Sequence, residues 1–187
     1  MTNSEPIDPR RWFPGPGPVE LEIGCGRGGF ILERLASDPS VRMVGVEIRG
    51  KLVRRARERL EQRGLRERAI VLEADAREVL PRLAESSFEV IFVHFPDPWW
   101  KRRHGKRRLI SRDLVSAMAR SLANRGLVFV QTDVRERAEE YRALLNAESS
   151  LVPLEPSEQS PWPAHSPRER RVARDGLPVT RLLYRRQ

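Results

Sequence analysis

Val19-Glu20-Leu21-Glu22-Ile23-Gly24-Cys25-Gly26-Arg27-Gly28-Gly29 is an apolar strand that runs directly into glycines. The residues up to Ile23 suit a short buried strand. The glycines let the backbone turn sharply and come close to a ligand with no Cβ in the way. Residues 29–36 then read as a helix, and the alternation continues. Arg42–Glu47 is a second strand, 51–63 an amphipathic helix closed by Gly64, 70–73 a third strand and 77–83 a short helix. Residues 89–95 form the fourth and most apolar strand, followed by a helix over 109–123. Asn124-Arg125-Gly126 turns the chain into a fifth strand over 126–132, and 134–145 is helical again. Strands regularly separated by helices predict an α/β fold with a doubly wound, mostly parallel sheet covered on both faces. In such sheets ligands sit beyond the carboxyl ends of the strands, where the strand order reverses.

The flanks differ from this middle. Residues 1–18 hold five prolines and two glycines and read as an irregular leader. Five more prolines fall within 150–167, ahead of a last strand over 179–184. The 187 residues suit one domain, 19–187, with a proper core, since a chain of about 150 residues buries roughly two-thirds of its unfolded surface. No run approaches the roughly 18 apolar residues of a membrane span, and the N-terminus has no apolar core of signal-peptide type. The single cysteine, Cys25, makes no internal disulfide and agrees with a reducing cytoplasm. A formal charge of +9 suggests a polyanionic partner such as RNA. The plainer account is that Arg54, Arg55, Arg57 and Arg59, interleaved with Glu58 and Glu61, are one solvated helix face.

Two patterns compete at the glycines. Gly24, Gly26 and Gly29 fit the G-x-G-x-x-G of dinucleotide sites, whereas Glu22 with Gly24, Gly26 and Gly28 fits the E-x-G-x-G-x-G of S-adenosylmethionine sites. The acids favour the second. A carboxylate at Glu22 sits poorly beside a pyrophosphate but suits a cationic sulfonium and ammonium. Glu47, ending the second strand, is placed for ribose hydroxyls. Asp75-Ala76, ending the third, is placed to accept an adenine amino group, with a helix N-cap as the structural alternative. Cys25 reads as a small residue filling the turn, not a nucleophile. No Cys, His and carboxylate cluster has metal-ligand spacing, so no metal is expected.

The fourth strand runs into Phe95-Pro96-Asp97-Pro98-Trp99-Trp100-Lys101 and then Arg102-Arg103-His104-Gly105-Lys106-Arg107-Arg108. An acid held between prolines beside aromatics is placed to meet a flat base. The cations after it are placed to meet phosphate.

These residues resemble the bacterial tRNA (guanine-N7)-methyltransferases of the TrmB type, over roughly residues 19–185. The most specific part is Phe95-Pro96-Asp97-Pro98-Trp99 followed by Lys101, Arg103-His104 and Lys106-Arg107-Arg108. Thr132-Asp133 matches the family's T-D, and Ser166-Pro167-Arg168-Glu169-Arg170-Arg171 stands where the family has T-x-[FY]-E-x-R. The resemblance implies a Rossmann-like class I methyltransferase that uses S-adenosylmethionine. Its expected product is 7-methylguanosine in the variable loop of tRNA, usually at position 46. Carried over, Glu22, Glu47, Asp75 and Asp97 would line the cofactor and catalytic pocket. Lys101, Asp133 and Ser166 to Glu169 would contact substrate, which makes 150–178 a substrate-side segment. Arg103, His104, Lys106, Arg107 and Arg108 would meet the RNA. Ser166 in place of threonine keeps a hydroxyl, whereas Arg168 replaces an aromatic, so stacking there requires its guanidinium plane. The leader is shorter than the family's.

Guanine N7 carries an unprotonated lone pair at neutral pH, so alignment of N7, methyl carbon and sulfur is the enzyme's main task. Asp97 is the residue expected to stabilise charge developing on the purine and to accept from its N1–H and amino group. Trp99 or Trp100 offers a stacking surface for an unstacked base. The expected setting is cytoplasmic, with tRNA as partner, no membrane and a monomer or homodimer. The rival readings are a methyltransferase acting on another RNA or a small molecule, a non-catalytic RNA-binding relative and a nicotinamide oxidoreductase. The last has no use for the basic run.

Overall fold

The computed structural model describes residues 5–96, 109–155 and 160–187. Among the described residues, seven strands alternate with six α-helices. They run β1 (Val19–Ile23), α1 (Gly29–Ser37), β2 (Arg42–Glu47), α2 (Gly50–Gln62), β3 (Ala69–Glu73), α3 (Ala76–Val79), β4 (Phe88–His94), α4 (Arg112–Ser121), β5 (Leu122–Thr132), α5 (Arg135–Asn146), β6 (Leu151–Pro153), α6 (Pro167–Arg174) and β7 (Thr180–Arg186). All the strands lie in one sheet in the order β3-β2-β1-β4-β5-β7-β6. The first five are parallel, with Leu21 beside Val44 on one side and Ile91 on the other. β7 enters antiparallel against β5, with Phe129 opposite Leu183, and β6 pairs antiparallel with β7. The sheet is therefore doubly wound and mostly parallel, and its order reverses between β1 and β4.

Burial explains the two faces. Every residue of β1 is buried, including Glu20 and Glu22. Leu21 and Ile23 pack with Leu114, Met118, Tyr141 and Leu145 of α4 and α5. On the other face, Phe92 and Phe129 pack with Phe30, Ile31, Val53 and Leu60 of α1 and α2, and Trp162 lies against that cluster. Glu20 shares the α1 side and is neutralised by Arg34, whose guanidinium grips both carboxylate oxygens at 2.7 and 2.9 Å.

Element ends follow local chemistry. α4 begins at Arg112 because Ser111 caps it, accepting from the Leu114 amide, so the expected start at 109 is three residues early. The fifth strand starts at Leu122 rather than 126 and takes in the expected Asn124–Gly126 turn, because Leu122 already pairs with Phe88 before the register shifts between Phe88 and Val90. The leader's described residues are irregular yet docked. Ile7 bridges to Leu83, Asp8 caps a 3-10 turn over Pro9–Trp12, and Phe13 is buried in the core.

Candidate cofactor and acceptor site

The loop from β1 to α1 lies at the point where the strand order reverses. Gly24 and Cys25 both donate their amides to the Val46 carbonyl, at 2.7 and 3.2 Å, which folds the loop over the end of β2. Gly24, Gly26 and Gly28 all take positive φ, at 77°, 57° and 68°. Side chains here would be strained. A Cβ on Gly24 or Gly26 would meet no atom within 4 Å, so the loop leaves its backbone open to a ligand at these two positions. At Gly28 the same atom would press on Ala56. Cys25 turns the other way, packing its sulfur where a Gly45 Cβ would sit. Burial, and then the charges of Glu22 and Glu47, push its thiol well above the ordinary value, so it is an inert filler.

The acids at the ends of β1, β2 and β3 divide into engaged and waiting. Glu47 is 4% exposed. Its Oε2 accepts from the Gly26 amide at 3.1 Å, and its Oε1 accepts from the Arg49 amide and side chain. It thus ties the glycine loop to β2 and retains lone pairs for a further donor. Asp75, next to buried Ala76, caps α3 by accepting from the Arg77 amide. Its carboxyl lies below the usual range, chiefly through the hydrogen bond from the Arg77 side chain. The N-cap alternative is therefore what the structure displays, and a ligand amino group there shares Asp75 with Arg77.

Glu22 is different. It is 3% exposed, and its Oε1 lies 3.0 Å from Nδ1 of His94 at the end of β4. Its Oε2 is buried without a hydrogen-bond partner. A buried carboxylate oxygen left in that state is costly unless a donor arrives. Cations are the natural donors, and Glu22 lies on the strand that runs into the open-backed glycines Gly24 and Gly26. These residues fit S-adenosylmethionine, which carries an ammonium and a sulfonium. A pyrophosphate would face three acids.

The structure gathers three of the residues expected to contact substrate. Asp133 follows β5, and its carboxylate pairs with the Arg168 guanidinium. Ser166 is the N-cap of α6 and accepts from the Glu169 amide at 3.1 Å. Glu169 is buried, and its carboxylate takes the Gln131 side chain at 2.7 Å, Arg181 at 2.9 Å and His165 at 3.2 Å. Ser166 and Glu169 thus hold α6 to β5 and β7. Arg168, standing where the family has an aromatic, spends its charge on Asp133. Asp97, Trp99, Trp100, Lys101, Arg103, His104, Lys106, Arg107 and Arg108 lie outside the described residues.

Four partnerships escape the sequence reading: Glu22 with His94, Glu20 with Arg34, Gln131 with Glu169, and Glu33 with the His165 amide and Arg170. Glu20 carried a usable signal. It shares a strand face with Glu22, two residues away, and a charge on a buried strand demands a partner.

Among the described residues, no helix is long and apolar enough to cross a membrane, and no group of three or more His, Cys, Asp or Glu could hold a metal. Comparison with known proteins places the chain. The family model Methyltransf_4, described as "Putative methyltransferase", matches residues 16–182. The tRNA (guanine-N(7)-)-methyltransferase of Myxococcus xanthus is 38% identical over 185 residues, covering 97% of this chain and 89% of the relative. The enzyme of that name from Thermosynechococcus vestitus is 39% identical over 174 residues, covering 90% and 80%. Among solved structures, geranyl diphosphate C-methyltransferase from Streptomyces coelicolor superposes with a TM-score of 0.65 at 15% identity, covering 94% of this chain and 73% of that one. That likeness establishes the fold, a Rossmann-like class I methyltransferase. The family model and the sequence relatives settle the assignment: the chain belongs to the bacterial tRNA (guanine-N7)-methyltransferase family.

Proposed function

We propose that the protein transfers the methyl group of S-adenosylmethionine to N7 of a guanine in tRNA, guanosine 46 of the variable loop, giving 7-methylguanosine. The observation that carries this reading is the glycine loop and its acids where the strand order reverses. Glu22 there keeps a buried oxygen for a donor, beside glycines whose missing side chains leave room. Relatives that share the chain nearly end to end carry that activity in their names.

S-adenosylmethionine supplies an electrophilic methyl on a positively charged sulfur. The chain's residues do the rest by placement and charge. Glu22, Gly24, Gly26, Gly28, Glu47, Asp75 and Ala76 hold the cofactor, with Glu22 matching its positive charge and Glu47 placed for its ribose hydroxyls. N7 requires no base, so Asp97 acts at the guanine edge, accepting from N1–H and the amino group and stabilising charge on the methylated ring. Lys101 and Asp133 contact the acceptor, while Ser166 and Glu169 fix the helix that carries Arg168 to Asp133. Arg103, His104, Lys106, Arg107 and Arg108 grip the phosphates. The catalytic domain is 19–187, its 150–178 segment lies on the acceptor side, and the enzyme works in the cytoplasm as a monomer or homodimer.

The test uses purified protein, labelled S-adenosylmethionine and an unmodified tRNA transcript, followed by borohydride and aniline, which break the chain at 7-methylguanosine. Scission at the variable-loop guanine is the expected result. Methyl incorporation without scission moves the acceptor elsewhere. No incorporation, with cofactor bound, overturns the reading.

A further inference from the structure

The partner of Glu22 is itself unusual. His94 ends β4, and its side chain is 5% exposed. The ring lies among the aromatics of three elements: Phe30 of α1 at 4.3 Å between centroids, Phe92 of its own strand at 5.6 Å, and Phe129 of β5 at 6.1 Å. Trp162, from the segment ahead of α6, closes the same cluster against Phe92 and Phe129. Packing on several sides fixes the plane of the imidazole, and with it the direction of Nδ1.

Where the Glu22 carboxylate accepts in this contact, Nδ1 of His94 is the donor. The consequence falls on Glu22. A glutamate's terminal torsion is broad, and without a fixed donor its two oxygens exchange freely. The Nδ1–H bond takes Oε1 and leaves Oε2 as the buried oxygen without a partner.

We infer that His94 is a positioning residue for the cofactor: it orients the Glu22 carboxylate so that Oε2 receives the ammonium group of S-adenosylmethionine. The inference rests on the reading of Glu22 as a cofactor ligand given above. It also links the two halves of the site. The rings that hold His94 include Phe30, next to the glycine loop, and are covered by Trp162 of the acceptor-side segment. The arrangement works as an outer partner does in many ligand sites, where a second hydrogen bond sets the geometry of the residue that touches the ligand.

The alternative is a histidine that merely fills an aromatic core, and two substitutions separate the cases. H94F keeps an aromatic ring for the cluster and removes the N–H, whereas H94N keeps an N–H near Nδ1 and removes the ring. Dissociation constants for S-adenosylmethionine and S-adenosylhomocysteine, both of which carry the ammonium, are measured by calorimetry, with thermal midpoints on the same samples. Positioning predicts that H94F weakens both ligands about tenfold or more at an undiminished midpoint, while H94N stays within about threefold of wild type. A packing role predicts the reverse order and overturns the inference.

E22Q keeps the two ideas apart. Native affinity in E22Q sinks Glu22 as a ligand. Weak binding in E22Q with native binding in H94F sinks only the role of His94. Should H94N not fold, the E22Q/H94F double variant serves instead. The H94F penalty must largely vanish in the E22Q background, and a fully additive loss rejects the coupling.

Discussion

The ring of Pro167, the first residue of α6, occupies the space that a side chain on Gly29, the first residue of α1, would need. A Cβ built on Gly29 falls 2.4 Å from the Pro167 Cγ and 2.9 Å from its Cδ. Two helix starts are thereby locked together, one leaving the glycine loop and the other carrying Ser166, Arg168 and Glu169. Glu33 reinforces the contact by accepting from the His165 amide at 3.0 Å and pairing with Arg170. Gly29→Ala therefore overpacks a rigid proline. We expect a loss of about 1–3 kcal/mol in urea unfolding, and a larger fall in tRNA methylation than in cofactor affinity. Unchanged stability would mean that α6 shifts freely on α1.

Asp97→Ala is expected to abolish methylation of a tRNA transcript while S-adenosylmethionine still binds measurably by calorimetry. The prediction follows from N7 needing alignment and charge stabilisation, not deprotonation. Near-normal turnover would remove Asp97 from the acceptor side.

Charge reversal at Arg107 and Arg108 should weaken tRNA binding and flatten its dependence on salt. Each phosphate that goes unneutralised lowers the log–log slope by about 0.7–0.9. Filter binding across a salt series reads this directly, and an unchanged slope would point the basic run away from RNA.

Arg34→Ala should be among the most destabilising single changes in the fold. It strands Glu20, buried on β1, without the guanidinium that holds both its oxygens. Removing one partner of a buried pair costs about 3–5 kcal/mol, whereas replacing both with apolar residues is often neutral. Glu20→Leu combined with Arg34→Met should therefore recover most of the loss in thermal unfolding.

Glu169 gives the pH prediction. Burial alone would raise its carboxyl, but hydrogen bonds from Arg181, Gln131 and His165 outweigh burial and hold it below the ordinary value. An unfolded glutamate titrates near about 4.3, so the stabilisation is whole above that pH and is lost as pH falls through the lower, folded value. Glu169→Gln should cost about 1–3 kcal/mol at pH 7, with the gap to wild type closing towards pH 3. A gap constant with pH would mean that the charge on Glu169 contributes nothing.

How much of this is legible in the chain depends on the range of the interaction. β1, β2 and the glycine loop stand in the sequence because burial on both faces produces continuous apolar runs, and positive φ selects glycine. Glu22 and Glu47 are visible as acids at strand ends. α6 is not, although Ser166-Pro167-Arg168-Glu169 carries the start signal of a capped helix, because the prolines and arginines around it read as loop. β6 is three residues long and ends in proline, too short for any periodicity. His94 and Glu22 are separated by 72 residues, and no local pattern encodes their meeting. A histidine directly after the apolar run Val90–Val93 is the trace of it.

The place of β7 between β5 and β6 has a bearing on how the molecule is made. β6 is earlier in the sequence, yet its sheet partner is β7, which arrives about thirty residues later. During synthesis a ribosome can release the five parallel strands to collapse while β5 still shows a bare edge from Leu127 to Thr132. Until residues 180–186 clear the exit tunnel, that edge is open to any passing strand, and Glu169 waits for Arg181. The nascent protein completes its sheet and the partners of Glu169 in one late event, so truncation before β7 should yield aggregation rather than a weaker enzyme.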